Sequence, residues 1–285
     1  MAIADIVLIG ADGMLGSAWT QLMLRRGVAV RQLFLPAFDL LRERDVAELD
    51  LNGVRAVINC AGWTDVDGAE TNEDAATVLN GHAVGALAER CHEAGALLVH
   101  YSTDYVFAGD AEAPYPVHAP QAPVSAYGRS KADGERRVWA SGARALLVRT
   151  SWLYAPWAKN FVRTIAAAAK ARPELKVVDD QRGRPTSAEH LAATTWALVE
   201  RNVSGIVHVT DGGECSWFEF ATAIAAKVNP ACKVSPCTTS EFPRPAKRPA
   251  YSVLDLTKTE ALVGPMPRWQ DELASVLDRL EPLSI

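Results

Sequence analysis

The stretch "DIVLIGADGMLG", residues 5–16, decides the fold, because it joins a short apolar run to a glycine-rich turn. Isoleucine, valine and leucine over 6–9 suit a strand that is buried on both faces of a sheet. Gly10, Gly13 and Gly16 follow at three-residue intervals and lead into a helical pattern. In such a turn the glycines allow a tight bend, close approach of backbone N–H groups to a pyrophosphate, and close packing of helix on strand. The stretch therefore predicts a dinucleotide-binding βα unit.

The same alternation of strand and helix continues outward from this unit. Apolar runs at 54–62, 96–104 and 145–154 alternate with helical patterns at 71–94 and 125–141. This predicts a Rossmann-type α/β fold with a doubly wound parallel sheet over 1–155. Helical patterns at 158–171, 187–201, 216–228 and 268–280 follow, with short strands near 175–179 and 205–210. We expect elements around 175–212 to return to the first domain, and 156–285 to form mainly a smaller C-terminal α/β substrate-binding lobe.

The composition excludes several classes of protein. The chain has 285 residues and a formal net charge of −5, so it lacks the basic surface that nucleic acid requires. No run approaches the roughly 20 apolar residues that cross a bilayer. The beginning, "MAIADIVLIG", has no basic segment and is expected to be a strand, not a signal peptide. The 5 cysteines match no zinc or redox spacing, which indicates reduced thiols and a cytoplasmic protein.

A tyrosine and a lysine lie four positions apart in "SAYGRSK", residues 125–131. On a helix Tyr127 and Lys131 share a face, and Ser125 is a suitable N-cap. A lysine cation near the phenol is expected to lower the pKa of the tyrosine and make it useful in acid–base chemistry. The pair also follows "STDYVF", residues 102–107, which ends a predicted strand where open α/β sheets gather their ligands.

Together these motifs resemble the extended, nucleotide-sugar branch of the short-chain dehydrogenase/reductase superfamily. Within it the chain is similar to the dTDP-4-dehydrorhamnose reductases. The resemblance extends over some 250 positions and rests on these segments: "GADGMLG", "NCAGWTDVDGAE" (59–70), "HYSTDYVFAG" (100–109), "YGRSK", "RTSWLY" (149–154), "NFVRT" (160–164), "DQRGRPTSAEHLA" (180–192) and "RPAYSVLD" (248–255).

The resemblance implies NAD(P)H-dependent reduction of the C4 ketone of dTDP-4-dehydro-L-rhamnose, with Thr103, Tyr127 and Lys131 as the catalytic set. Asn80 matches a helix asparagine that supports the lysine through water. The implied sugar contacts are Thr103, Asp104, Tyr127 and Trp152. The implied cofactor contacts are Gly10, Gly13, Met14, Leu15, Gly16, Asp39, Leu40, Gly62, Trp63, Thr64, Tyr101, Tyr127 and Lys131.

Two assignments stay open at this point. Arg31 lies in the region of the second strand, where NAD-specific sites carry an acid. It either binds a 2′-phosphate or is an exposed strand residue. The choice between NADPH and NADH as the cofactor therefore stays open. Arg248 either binds the substrate diphosphate or is a solvated surface charge.

The sequence also departs from related patterns. Nucleotide-sugar dehydratases follow the threonine with Asp and Glu, whereas this chain has Asp104 and Tyr105, which favours plain carbonyl reduction. Some relatives form dimers through a metal held by glutamates. Glu189 matches one of them, but Ala18 occupies the other position, so Mg²⁺ is doubtful and the chain is expected to be a monomer or a homodimer. Tyr251 stands where asparagine is common.

Two other functions remain open. One is 4-ketoreduction of another dTDP-deoxysugar. The other is dinucleotide binding without turnover, as in the regulatory subunit of methionine adenosyltransferase, although the complete Thr103, Tyr127 and Lys131 set argues against it.

Overall fold

The structure is a computed structural model that describes residues 5–280. Residues 1–4 and 281–285, which are the outer ends of the two predicted domains, lie outside the described residues.

Each of the apolar runs that the sequence analysis predicted at 54–62, 96–104 and 145–154 contains a strand of the main sheet. In chain order they are β1 (Ile6–Ile9), β2 (Val30–Leu33), β3 (Ala56–Asn59), β4 (Leu97–Thr103), β5 (Ala145–Thr150), β6 (Leu153–Tyr154), β7 (Glu174–Val178), β8 (Arg182–Gly183), β9 (Thr186–Ser187), β10 (Gly205–His208), β11 (Cys215–Ser216) and β12 (Lys233–Cys237).

The helices are α1 (Met14–Arg26), α2 (Glu43–Ala47), α3 (Val66–Ala69), α4 (Glu73–Thr77), α5 (Ala83–Ala94), α6 (Ala126–Ala140), α7 (Phe161–Ala171), α8 (Ala188–Glu200), α9 (Trp217–Val228), α10 (Thr257–Val263) and α11 (Trp269–Leu277). A π-helical turn, Val78–His82, joins α4 to α5, and a 3₁₀ turn, Asp104–Val106, follows β4. A second 3₁₀ turn covers Thr239–Glu241. None of the described helices combines the length and the apolar character needed to cross a membrane.

The main sheet has six parallel strands in the order β2-β1-β3-β4-β5-β10. Strands β1, β3 and β4 are buried on both faces. Helices α1 and α8 cover one face of the sheet and contact each other edge-on through Trp19 and Trp196. The other face is covered in part by α5 and α6. The strand order reverses beside β1, which creates a crevice at the carboxyl ends of the strands. The predicted doubly wound α/β fold is confirmed.

Other elements differ from the sequence expectations. The helix predicted over 71–94 is divided by the π-helical turn. Of the elements expected to return to the first domain, β10 joins the main sheet, but β7 pairs with β12 in a separate two-stranded sheet. The short elements α2, α3 and α10 have too few residues to show a periodicity in the sequence.

A buried ion pair fixes α6 to the sheet. Arg149 on β5 donates from Nε to Glu135 Oε1 at 2.8 Å and from Nη2 to Oε2 at 2.6 Å. The two side chains are only 3 % and 1 % exposed. Gln121 and the carbonyl of Val117 complete the hydrogen bonding of the pair. Because Glu135 is four residues after Lys131, this pair also fixes the turn that carries the lysine.

Close backbone contacts fix the first turn and the middle of the same helix. A Cβ at Gly134 would lie 2.1 Å from the carbonyl oxygen of Asn80, so α6 packs directly against the π-helical turn. A Cβ at Gly128 would lie 2.2 Å from the carbonyl oxygen of Tyr105, so the first turn of α6 packs against the 3₁₀ turn. This contact gives the physical reason for a glycine next to Tyr127.

We expect Glu135→Gln to destabilise the protein by about 3–5 kcal/mol, because it leaves the buried Arg149 guanidinium without a countercharge. Urea unfolding measures the change. The control is Glu73→Gln, which removes one partner of a bidentate pair with Arg129 whose side chains are 42 % and 45 % exposed. The control should cost no more than about 1 kcal/mol. Equal costs for the two variants would contradict the role of the buried pair.

Candidate active site

A cavity of about 730 Å³ lies at the carboxyl ends of the strands. Most of the residues that the sequence analysis singled out line it: Gly10, Gly13, Met14, Leu15, Asp39, Leu40, Gly62, Trp63, Thr64, Tyr101, Thr103, Asp104, Tyr127, Lys131 and Trp152. Gly16 and Arg248 are not among the lining residues. The fold thus brings residues from distant parts of the sequence to one edge of the sheet.

The glycine turn forms an anion cradle at one end of this cavity. Helix α1 begins at Met14 with Gly13 as its N-cap, and its first turn contains no acidic residue. Gly10 has φ of +73°, and a Cβ at Gly16 would lie 2.0 Å from the carbonyl oxygen of Gly10. The free N–H groups and the positive end of the helix dipole suit a pyrophosphate. These residues therefore fit a dinucleotide.

The residues after β2 form the next part of the cavity. Asp39 lines it, and its Oδ1 accepts a hydrogen bond from the N–H of Leu41 at 3.0 Å. Arg31 does not line it; its guanidinium donates to the carbonyl of Asp50. The structure thus supports a structural role for Arg31. Sequence reasoning missed the apolar wall of Phe34, Leu35 and Phe38, because no motif distinguishes it from an ordinary strand end.

Thr103 and Tyr127 meet at the centre of the cavity. Thr103 ends β4, and its hydroxyl donates to Asp104 Oδ1 at 2.8 Å. Tyr127 lies in the first turn of α6, where Ser125 is the N-cap as predicted and accepts from the N–H of Gly128 at 3.1 Å. The side chains of Thr103 and Tyr127 are hydrogen-bonded. A carbonyl oxygen placed between these two hydroxyls would face both.

The tyrosine is held in its neutral form. Burial, followed by the negative charge of Asp104, raises the pKa of Tyr127 above its ordinary value, and the hydrogen bond with Thr103 opposes this only in part. The expectation that Lys131 lowers the pKa of the tyrosine is therefore wrong. The sequence argument considered the nearby cation and omitted the cost of burying a phenolate.

Lys131 lies deep in the cavity wall, and burial changes the pKa of its ammonium group. The residue is 6 % exposed, and burial lowers the pKa of its ammonium to about 8, against the opposing effect of Glu135. Its Nζ lies 3.5 Å from His100 Nε2.

Asn80, on the π-helical turn, joins the cofactor-side loop to α6. It donates to the hydroxyl of Ser130 at 2.9 Å and to the carbonyl of Trp63 at 3.1 Å, and accepts from the N–H of Trp63 at 2.8 Å. Its predicted support of the lysine through water stays a prediction. The direct bonds to Ser130 and Trp63 place it next to Lys131 without such a water.

Trp152 has less free surface than the sequence suggests. Its ring stacks on that of Trp217 with centroids 3.5 Å apart, and a Cβ at Gly183 would come within 2.5 Å of its Cε2. The apolar face that was expected to meet a sugar ring is therefore covered by Trp217. Trp217 also lines the cavity, and it was missed because its sequence context shows only a helix N-terminus.

Arg248 is a paired and largely buried cation. Its side chain is 16 % exposed, and Nη2 lies 3.0 Å from Asp67 Oδ1. Within the described residues its Nη1 is buried and has no hydrogen-bond partner. The alternative of a solvated surface charge is therefore wrong. Tyr251, three residues later, donates to Glu214 Oε2 at 3.1 Å.

The residues at the proposed metal position do not fit a metal ion. Both carboxylate oxygens of Glu189 are bound by Arg279, at 3.0 and 2.6 Å. Ala18 is fully buried in the core. Over residues 5–280 no group of three or more His, Cys, Asp or Glu side chains is arranged to hold a metal.

Asp104 has a pKa of about 6, because burial outweighs its hydrogen bonds with Ser252 and Thr103. The folded state thus favours the protonated carboxyl, and this contribution is complete below about pH 4 and lost as the pH rises through about 6. We expect Asp104→Asn, which cannot ionise, to gain about 2 kcal/mol relative to the unsubstituted protein between pH 4.5 and 7.5. Urea unfolding at both pH values measures it.

The control is Asp74→Asn, at an exposed position in the first turn of α4, which should show the same difference from the unsubstituted protein at both pH values. A pH-independent effect of Asp104→Asn would contradict the raised pKa of Asp104.

Comparison with known proteins gives a consistent result. The family described as "RmlD substrate binding domain" matches residues 4–281. A dTDP-4-dehydrorhamnose reductase from Burkholderia thailandensis is 40% identical over 93% of this chain and 95% of its own. A Streptomyces antibioticus protein named "Probable dTDP-4,6-dihydroxy-2-methyloxan-3-one 4-ketoreductase" is 39% identical over 94% of this chain and 92% of its own.

Among solved structures, a dTDP-4-dehydrorhamnose reductase from Bacillus anthracis in complex with NADP superimposes with a TM-score of 0.90 at 34% identity, covering 96% of this chain and 98% of that one. The match extends over almost the whole length of both chains. The chain therefore belongs to the dTDP-4-dehydrorhamnose reductase family.

Proposed function

We propose that this protein reduces the C4 ketone of dTDP-4-dehydro-L-rhamnose to give dTDP-L-rhamnose, with NADPH or NADH as the reductant. The observation that carries the proposal is the half-buried, protonated Tyr127 beside Thr103, at the edge of a cavity that continues to the glycine turn. The names of the relatives support the same activity.

The cofactor, when bound, supplies the hydride that adds to C4. Tyr127 donates its proton to the ketone oxygen, so that the C=O double bond becomes a C–OH group and the phenolate remains on the enzyme. Tyr127 is protonated at neutral pH, as a proton donor in this direction must be. On substrate binding the Thr103 hydroxyl would turn its proton from Asp104 Oδ1 to the same oxygen and hold that oxygen in place while negative charge develops.

Lys131 and Asn80 position the cofactor side of the reaction. Lys131 is proposed to bind the ribose next to the nicotinamide, and in its charged form to stabilise the phenolate that remains after proton transfer. Asn80 holds the loop that carries Trp63 and Thr64 against α6, so the ribose and the phenol keep one relative position.

Reduction is favoured over elimination by the residue that follows Asp104. Dehydratases place a second carboxylate there, whereas Tyr105 places a ring that packs edge-on against Tyr127, with centroids 5.8 Å apart. A single buried carboxyl beside the tyrosine lacks the partner base that loss of water requires.

The C-terminal lobe is proposed to hold the nucleotide part of the substrate. Asp67 orients Arg248 through Nη2, and the buried, unpaired Nη1 remains for a diphosphate oxygen. Trp217, stacked on Trp152, offers an apolar surface next to the sugar position.

A second candidate is 4-ketoreduction of another dTDP-deoxysugar, which the likeness to the Streptomyces antibioticus protein favours. The two candidates share the same catalytic residues and differ in the sugar pocket. A panel of dTDP-4-keto sugars distinguishes them through kcat/KM.

The test is oxidation of NADPH or NADH, followed by absorbance, in the presence of dTDP-4-dehydro-L-rhamnose. We expect turnover that falls about 10²–10⁴-fold in Tyr127→Phe, because the general acid is lost. The affinity of this variant for the cofactor, measured by fluorescence titration, should remain within a fewfold of the original. Undiminished turnover in Tyr127→Phe would contradict the assigned proton donor, and absence of turnover with every 4-keto sugar would contradict the proposed function.

A further inference from the structure

Three polar side chains form a buried chain behind the catalytic lysine. Asn59, His100 and Lys131 are 1 %, 0 % and 6 % exposed. Asn59 and His100 are cross-strand neighbours on β3 and β4, and their side chains meet at 3.2 Å between Nδ2 and Nδ1. The other ring nitrogen of His100, Nε2, lies 3.5 Å from Lys131 Nζ, at the long limit of a hydrogen bond.

The orientation of the Asn59 amide is fixed by the loop that follows β3. Its Oδ1 accepts from the backbone N–H of Ala61 at 3.0 Å. A flipped amide would place its NH₂ group against that N–H, leaving two donors face to face in a buried site. The NH₂ group of Asn59 must therefore face His100, and Nδ1 of His100 must accept.

This contact determines the position of the proton on the histidine. Burial, together with the charge of Lys131, lowers the pKa of His100 well below its ordinary value, so the ring is neutral. A neutral imidazole whose Nδ1 accepts carries its proton on Nε2. That N–H faces Lys131 Nζ. An ammonium has no lone pair to accept it, whereas an amine has one.

We propose that His100 is a positioning residue which, held as the Nε2–H tautomer by Asn59, presents a donor to Lys131 and favours the uncharged amine in the ligand-free enzyme. Sequence motifs gave no indication of this role, because His100 lies inside an apolar strand. Burial already lowers the pKa of Lys131 to about 8, and the donor of His100 would act in the same direction.

The other groups around Lys131 do not replace this effect. Glu135, one turn further along α6, favours the ammonium but is neutralised by Arg149 of β5. Asn80 of the π-helical turn is uncharged. The thiol of Cys60, at the end of β3, stays protonated because burial raises its pKa. The phenol of Tyr127 is likewise neutral.

The consequence for catalysis rests on the proposed function. Where Lys131 is uncharged, as the pH rises through about 8, its side chain no longer favours the phenolate, and Tyr127 keeps the proton that it must donate. Ala61 is directly followed by Gly62, Trp63 and Thr64, which line the cofactor side of the cavity. A cofactor bound to this loop would thus act on the same chain of hydrogen bonds that holds His100, and its ribose hydroxyls offer acceptors to the ammonium form of Lys131.

The first test uses the ligand-free protein with ¹⁵N-labelled histidine, in which long-range ¹H–¹⁵N NMR distinguishes the tautomers. The His100 signals are identified by their loss in His100→Gln. We expect a neutral Nε2–H ring from pH 5.5 to 9. An Nδ1–H ring, or an imidazolium, would overturn the proposal. This test needs neither cofactor nor substrate, so it can fail or succeed independently of the proposed function.

The second test measures NADPH affinity against pH by fluorescence titration. In the unsubstituted protein the affinity should fall as the pH rises through about 8, where Lys131 loses its charge. In Asn59→Asp the carboxylate accepts a hydrogen bond from Nδ1–H of His100, so the Nε2 lone pair faces Lys131. His100→Gln can turn its carbonyl oxygen towards Lys131 without adding a charge. In both variants the fall should move upward by about one pH unit or more.

The control is His92→Gln, at an exposed position on α5, which should leave the pH dependence unchanged. The unfolding midpoint of each variant is measured alongside. A purely structural role of His100 would lower that midpoint and would leave unchanged the pH at which the NADPH affinity falls. An unshifted fall in His100→Gln would overturn the proposal whatever the result for Asn59→Asp.

Discussion

The buried ion pair between Glu135 and Arg149 is the constraint on which the rest of the site depends. It joins the helix of Tyr127 and Lys131 to a strand of the main sheet, where water does not compete for the two charges. The close backbone contacts at Gly128 and Gly134 then fix the first turn and the middle of the helix. With α6 held in this way, Tyr127 has one position relative to Thr103, which is fixed by the sheet itself.

Burial also sets the acid–base state of the site. It keeps the proton on Tyr127, raises the pKa of Asp104 to about 6, and lowers that of Lys131 to about 8. Each shift favours the uncharged form, as expected where charges leave water. A reductase needs a protonated donor before hydride transfer and a stabilised phenolate after it. The protonated Tyr127 meets the first requirement, and the ammonium form of Lys131 would meet the second.

Local patterns in the sequence predicted much of this arrangement. The glycine turn, the apolar strands and the capped helix at Ser125 are encoded over a few residues each, so they could be recognised without a structure. The direction of the pKa of Tyr127 could not be predicted, because it depends on burial by distant segments. The stacking of Trp152 on Trp217 and the pairing of Arg248 with Asp67 join residues far apart in the chain, and no spacing rule connects them. The same is true of His100 behind Lys131.

The central claim is that Tyr127 and Thr103 together hold the oxygen on C4 of a dTDP-sugar. A crystal structure of the ternary complex with NADP⁺ and dTDP-L-rhamnose tests it most directly. The account predicts that the C4 hydroxyl oxygen lies within hydrogen-bond distance, about 2.5–3.0 Å, of both Tyr127 Oη and Thr103 Oγ1. It also predicts that C4 faces the nicotinamide ring. A sugar bound with its C4 oxygen directed away from both hydroxyls would contradict it.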